Sequence, residues 1–338
     1  MEENPCFLSI IVPVYNGERY LEECLNSLLD QDLPEHTYEI VCVNDGSKDG
    51  SAEILSRYQT CHQNLRVLFQ QNSGVAATRN AGLDAARGEF IWFVDADDFI
   101  QKNCLQGLWE LAHSGNFDRI VLGGYEFVDA LSPEERERAN RGALPCNTSY
   151  QSSVIWRNLL RREFLMEKRL CFRYPELTNG EDGVFLYEVD LQNPRTVETP
   201  QVLYFYRTHA GSAETAASPE SQQKKIRSHI RVLEILLGYY ESGHRDPATA
   251  NKIAAFLWMS LYEIAQVPRD RAKPHLQKLR AMGLYPGKIP PECTQRQSYL
   301  TGTGSAMGKV LEFFCHHLHR PWAYQGMRLL RGVQRFLS

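Results

Sequence analysis

Three carboxylates crowd the stretch FIWFVDADDF (90–99), where Asp95, Asp97 and Asp98 follow an apolar run that reads as a buried strand. Negative charges so close together repel one another unless something positive sits among them. In an open parallel sheet, ligands bind just past the carboxyl ends of the strands, and three carboxylates at such a tip suit a divalent cation. Carboxylate and phosphate oxygens are hard donors, so the ion would be Mg²⁺ or Mn²⁺. Asp95 and Asp97 flank one residue and, on an extended tip, would point the same way. One can bind metal while the other takes a sugar hydroxyl or a second metal position. A plainer reading stands beside this one: an Asp-rich turn with Asp98 as the N-cap of the next helix.

Neighbouring tips carry matching groups. VPVYNG (12–17) closes the first strand and VNDGSKDGS (43–51) the second. Asp45 can accept a ring N–H of uracil or guanine, and Arg79, in SGVAATRNAGL (73–83), can donate to a base carbonyl. Gly46 and Gly74 suit turns where backbone must come close to a ligand. NGEDGVF (179–185) places Glu181 and Asp182 on a Gly-flanked segment, where acidic residues also favour the start of a helix.

These groups need a scaffold, and the hydrophobic pattern supplies one. Apolar runs at 7–15, 38–44, 65–70 and 89–94 read as strands. They alternate with helical spacing within 17–32, from about 49 to 60, and over 74–86. Such alternation predicts an α/β fold, Rossmann-like, with a mostly parallel sheet between helices. No G-x-G-x-x-G follows the first strand, which excludes the dinucleotide-binding pattern. A helix at about 101–114 and a strand at 117–128 come next; residues 129–149 are charged and broken by Pro and Gly, as in a surface loop or lid. A helix at about 152–162 and a late strand at 201–207 are expected before a run of purely helical patterns from Ser218. Those patterns break at Pro247, Pro268, Pro274, the 286–292 stretch and Pro321. The expected organisation is a catalytic domain at 1–215, with halves 1–98 and 99–215, and a C-terminal helical region at 216–338.

Composition narrows the class. The 338 residues are 43% apolar and 23% charged, as in an ordinary globular protein. A net charge of −4 gives no electrostatic case for nucleic acid as a partner. The nine cysteines include no C-x-x-C pair, which points to free thiols in a reducing cytoplasm. The start, MEENPCFLSIIVPVYNG, is acidic and lacks the basic opening of a secretory signal, and no window approaches a membrane span. The N-x-S sequon at Asn147 carries no meaning without secretion.

Four blocks in order, SIIVPVYNGERYLEECLNSLLDQ, EIVCVNDGSKDGS, NSGVAATRNAGLDAARGEFIWFVDADD and NGEDGVF, resemble the inverting family 2 glycosyltransferases of the GT-A fold, of the bacterial polysaccharide and glycolipid type. The likeness covers about residues 7–210. It implies a nucleotide-sugar donor such as a UDP-sugar, a saccharide or lipid-linked acceptor, a divalent metal (Mn²⁺ or Mg²⁺) bound through a D-x-D motif, and one catalytic base. Carried over, Pro13, Tyr15 and Asp45 would surround the base, Arg79 would reach its carbonyl, Asp95 would face ribose or sugar, and Asp97 would hold the metal. The Asp of the E-D pair, Asp182, is the implied base, because a direct displacement at the anomeric carbon needs one carboxylate to deprotonate the attacking hydroxyl. YFYRTHAGS (204–212) resembles the family's Y-R-x-H segment, which would set Arg207 against phosphate charge and His209 in the metal shell. The vicinal His316, His317 and His319 read as helix residues without a metal role.

Two other functions compete. A non-catalytic sugar-nucleotide-binding partner of another transferase would show a damaged D-x-D or E-D motif, and both are intact. A nucleotidyltransferase would carry a Gly-rich loop with a basic residue after the first strand, and VPVYNGERY lacks one. The tail, 301–338, carries five Lys or Arg against one Glu beside apolar faces. It suits peripheral contact with the anionic inner face of the plasma membrane, or equally packing on the catalytic domain or on a second subunit of a homodimer.

Overall fold

β-Branched and aromatic residues fill the apolar runs, and the computed structural model, which describes residues 6–128, 154–207 and 218–284, gathers them into an eight-stranded sheet. The strands are β1 (Leu8–Val14), β2 (Tyr38–Asn44), β3 (Leu65–Phe69), β4 (Phe90–Phe93), β5 (Phe99–Ile100), β6 (Arg119–Val128), β7 (Asn158–Arg161) and β8 (Thr196–Arg207). Their order is β3-β2-β1-β4-β7-β6-β8-β5. The pairs among β3, β2, β1 and β4 are all parallel, whereas β7 runs antiparallel to both β4 and β6. β6 and β8 pair in parallel, and short β5 closes the edge antiparallel to β8. Every residue of β2 and β4 is buried, as strands covered on both faces require.

The chain divides into two compact units, Met1–Glu176 with Glu181–Ser212, and Leu177–Gly180 with Ala213–Ser338. The first holds the sheet with α1 (Glu18–Leu29), α2 (Ser51–Cys61), α3 (Val75–Ala85), α4 (Leu105–His113), α5 (Arg162–Glu167) and α6 (Glu181–Asp190). The second holds α7 (Pro219–Glu241), α8 (Pro247–Ile264) and α9 (Arg269–Ala281). Ser218 and Asp246 cap α7 and α8 by accepting from Ser221 N and Thr249 N, each just ahead of a proline, the position where a missing N–H costs nothing. Among the described residues no helix is long and apolar enough to cross a membrane.

Two expectations change. The segment near 152–162 is a 3₁₀ turn at Ile155–Arg157 followed by β7. Its apolar residues fit either period, and pairing of Leu159–Arg161 with Phe90–Trp92 decides for strand. Pro274 lies inside α9 instead of breaking it; it and Asp270 are exposed, so water can satisfy the carbonyl that loses its partner. The 129–149 segment, Asn147 and the 301–338 tail lie outside the described residues.

Two packing details position the strand tips and α3. Pro13 falls beyond Ile11, the last β1 residue registered with β4 (opposite Phe93), where a strand tolerates a missing donor. Gly82, on the buried side of α3, brings the helix so close to β1 that an added Cβ would lie 2.3 Å from Ile11 Cγ2. Alanine is the better helix former by roughly 0.5–1 kcal/mol, but the collision outweighs that gain. Gly82→Ala is expected to lower stability by about 1–3 kcal/mol in urea unfolding, with α3 displaced from the sheet.

Candidate active site

The chain leaving β4 turns at once. Asp98 N–H donates to Asp95 C=O at 3.1 Å, so Asp95 and Asp97 sit on a tight turn and not on the extended tip that their spacing suggested. Asp98 caps no helix either: β5 intervenes, and α4 begins after Cys104. Its side chain, 1% exposed, accepts from Tyr204 Oη at 2.6 Å and from Arg207 N–H at 2.7 Å. Burial, then the nearby Asp97 and Asp95 carboxylates, push the Asp98 carboxyl well up. Tyr204 Oη also accepts Asp95 N–H at 3.2 Å, and the Trp156 ring stacks on Tyr204 at 4.4 Å.

Arg207 braces the same turn. Its Nε donates to Asp97 C=O at 2.8 Å, Nη2 pairs with Glu23 at 2.7 Å, and the guanidinium lies over the rings of Tyr20 and Phe99. Arg207, expected against phosphate charge, here also supports the turn. His209 lies outside the described residues.

Arg79, expected at a base carbonyl, is engaged here by two carboxylates. α3 carries it, 4% exposed, into a bridge: Nη2 to Asp95 at 3.0 Å and Nη1 to Glu181 at 2.6 Å. Burial works against its charge, and Asp95 and Glu181 more than offset that, holding it above the ordinary arginine value. Its Nε is buried with no acceptor among the described residues. Glu181 and Asp182 open α6, so the helix start and the acidic pair coincide. Asp182 is half-buried, accepts from Gly183 N–H at 2.7 Å, and has its carboxyl pushed up to about 7 by burial first and the Glu181 charge second.

At the other tips, Tyr15 is 51% exposed at the end of β1 beside half-buried Pro13. Asp45, buried, accepts from Gln70 Nε2 (2.8 Å), Ser73 N (2.8 Å) and Gly74 N (2.9 Å). Three of a carboxylate's four lone pairs are thereby filled, and the 70–74 loop is fastened to β2. Gly46 (φ +70) passes so close to this loop that a Cβ would sit 3.0 Å from Asn72 N. Asn16, in the left-handed region, donates through its backbone to Ser47 Oγ and accepts from Lys48 N, interlocking the first two tips.

The residues present fit a hard cation. Asp95 and Asp97 act on Asp98, and Glu181 on Asp182, as neighbouring negative charges, so the cluster favours a positive guest. No three Asp, Glu, His or Cys side chains converge among the described residues, so a cation here would fill its shell with diphosphate oxygens and water, as Mg²⁺ and Mn²⁺ commonly do. Tyr204, Trp156 and Glu23 escaped sequence reasoning because a strand, a 3₁₀ turn and a helix distant in sequence bring them to the β4 turn; the aromatic run in YFYR was the one available signal.

Known proteins resemble the chain in sequence and in fold. A profile described as "Glycosyl transferase family 2" matches residues 9–172. The chain is 35% identical over 239 residues to the glycosyltransferase EpsJ of Bacillus subtilis, covering 66% of this chain and 68% of EpsJ. It is 30% identical over 253 residues to the poly(ribitol-phosphate) β-N-acetylglucosaminyltransferase TarS of Staphylococcus aureus, covering 72% of this chain and 43% of TarS. TarS residues 1–349 in complex with UDP-GlcNAc superpose with a TM-score of 0.54 at 21% identity, over 82% of this chain and 93% of that one. The Pyrobaculum calidifontis mannosyltransferase PcManGT, in complex with GDP-Man and Mn²⁺, superposes with a TM-score of 0.53 at 16% identity, over 98% of this chain and 85% of its own. These two structures share the fold.

Tyr204→Phe tests the construction of the turn. It deprives Asp98 of its hydroxyl donor and Asp95 N–H of its acceptor while leaving the Trp156 stack. The expected loss is about 1–3 kcal/mol of stability in urea unfolding; an unchanged midpoint would mean that the hydroxyl does not hold the turn.

Proposed function

The chain belongs to the family 2 glycosyltransferases and has the GT-A fold, and on that premise we propose that it moves a sugar from a UDP-sugar to a hydroxyl of a saccharide or lipid-linked acceptor, with inversion at the anomeric carbon, in cell-surface glycan synthesis. The observation that carries the reading is Asp182, a half-buried carboxyl at the start of α6 whose pKa is pushed up to about 7 by burial and by Glu181. A base poised near neutrality takes a hydroxyl proton most effectively. In a single displacement the acceptor oxygen, losing its proton to Asp182, bonds to the anomeric carbon as the bond to the diphosphate oxygen breaks and UDP leaves.

The choice of uracil rests on Asp45. With three lone pairs filled by Gln70, Ser73 and Gly74, one acceptor position remains. Uracil offers one ring N–H, whereas guanine presents a ring N–H together with an amino group. Tyr15 and Pro13 would flank the base, and Arg79, already committed to Asp95 and Glu181, would act on the ligand by fixing those two carboxylates. A cation held by Asp97, with His209 as a second candidate ligand, would neutralise charge on the departing diphosphate. The UDP-GlcNAc complex of TarS supports a UDP-sugar donor, and the poly(ribitol-phosphate) named for TarS supports a polymeric acceptor.

Asp182→Asn is the direct test. Turnover should fall at least ~100-fold while UDP affinity by calorimetry holds; near-normal turnover would remove the base from this position. In the parent, kcat should rise through an acid limb near pH 7, since Asp182 works only when ionised. The same shift has a stability consequence. The folded pKa lies above the ordinary 3.8, so ionisation costs the folded state as pH rises from about 4 to about 7. Asp182→Asn should therefore raise Tm at about pH 8 and leave it nearly unchanged near pH 4.

The cation has its own test. Mn²⁺ or Mg²⁺ should tighten UDP binding to the parent, chelation should reverse this, and Asp97→Ala should bind UDP equally with and without metal. GDP should bind the parent more weakly than UDP. Metal-independent binding by the parent would overturn the role given to Asp97.

A further inference from the structure

Resting on the assignment of Asp182 as the base, we infer that Phe172, held by Asn80, is a positioning residue that sets the rotation of α6 and so aims the Asp182 carboxylate. Nothing in its sequence surroundings marks Phe172: it lies ten residues before Asp182, in RLCFRYPE (169–176). Its backbone is gripped from both sides by one side chain. Asn80 Oδ1 accepts Phe172 N–H at 2.9 Å, and Asn80 Nδ2 donates to Phe172 C=O at 2.9 Å. A side-chain carboxamide supplies a donor and an acceptor at that spacing, so the pair acts as one rung of a sheet made with a side chain.

The ring so fixed touches three elements that carry or lead to charged groups of the site: α6, β4 and α3. It stacks on Phe185 of α6 with centroids 4.3 Å apart and planes 13° apart. It meets Phe93 of β4, two residues before Asp95, edge-on at 5.4 Å. The Arg79 guanidinium lies over it at 5.5 Å. Phe185 is three residues after Asp182 and four after Glu181, so all three project from the same side of α6. A stack on Phe185 therefore constrains how far the helix can turn about its axis, and with it the direction of both carboxylates. Phe172, Phe185 and Phe93 are all buried, so the stack is a packed contact that resists slippage. Asn80 follows Arg79 directly on α3, so one helix supplies both the ion pair to Glu181 and the grip on the ring.

The groups that face Asp182 are Glu181 on its own helix, Arg79 from α3 and Asp95 beyond β4. A loosened ring would let α6 rotate, admit water and weaken burial, the first cause of the raised Asp182 pKa. The acid limb of the kcat profile should then move downward. A residue that merely supports the fold would reduce the amount of active protein without moving that limb.

The test uses the full chain with Phe172→Leu, which keeps apolar volume and loses the ring, and Asn80→Ala, which removes the grip and leaves the ring. Each should lower kcat roughly 10- to 100-fold, since small misplacements of a reacting group cost that much. UDP affinity by calorimetry should stay within about twofold, because the change is aimed at the base, and the acid limb should shift down. Unchanged kcat and limb in both variants overturn the proposal, as does a fall in kcat matched by equal loss of UDP-binding sites with the limb in place. Asp182→Asn, measured alongside, separates the two readings. If it retains turnover, the base assignment has failed; if it loses turnover while the Phe172 and Asn80 variants behave as the parent, only the positioning role has failed.

Discussion

One guanidinium organises the site. Arg79, delivered by α3 and nearly sealed from solvent, pairs with Asp95 past the end of β4 and with Glu181 at the start of α6. These carboxylates are 86 residues apart in the chain, and no backbone hydrogen bond among the described residues joins the two. A buried ion pair is weak evidence for stability, because desolvation consumes most of its Coulombic gain, while removing one partner strands the others. Its value here is geometric. Arg79 offers two donors in a rigid fork, and the fork sets the distance between the two acidic tips. That α3 can deliver it depends on the absence of a side chain at Gly82, which lets the helix lie against Ile11 of β1.

From that constraint comes a division of labour among the three Asp of the β4 turn. Asp95 is committed to Arg79, and Asp98 to Tyr204 and the backbone of Arg207. Each of the two is thereby tied to a group of the protein itself. Asp97, half-buried between them, has its backbone carbonyl held by Arg207, so its position is fixed from both neighbours. The crowding of negative charge thus has a structural answer at Asp95, through Arg79, and at Asp98, through Tyr204 and Arg207. Asp45 shows the same economy at β2, with three of its acceptor positions used to tie down the 70–74 loop.

The alternation of apolar runs with helical spacing was enough to locate β1 to β4 and α1 to α3 in the sequence, because strands buried on both faces leave a continuous apolar signal. The second half was harder. Near 152–162 the apolar residues satisfy a helical and an extended period alike, and only the partners β4 and β6 choose between them. The candidate carboxylates were visible because Asp is rarely clustered after a buried strand. The orientation of their partners was not. Arg79 and Arg207 were recognisable as cations near the site, yet which anion each would meet depends on how α3 and β8 register against the β4 turn. Phe172 was invisible altogether, since a lone phenylalanine in a linker carries no periodicity.

The stability of this arrangement and its chemistry pull in opposite directions, and the placement of the groups shows how the conflict is contained. Burial raises the carboxyls of both Asp98 and Asp182, an energetic cost near neutral pH. Asp98 meets that cost with two short hydrogen bonds, from Tyr204 Oη and Arg207 N. Asp182 receives only the adjacent Gly183 N–H among the described residues, with Arg79 one residue away on Glu181. On the role proposed for Asp182, a group that accepts a proton during a reaction must not be fully satisfied beforehand, because every donor aimed at the carboxylate lowers its basicity. The fold therefore stabilises the acid that shapes the turn and leaves the acid at the head of α6 comparatively underserved, with Glu181 taking the arginine in its place.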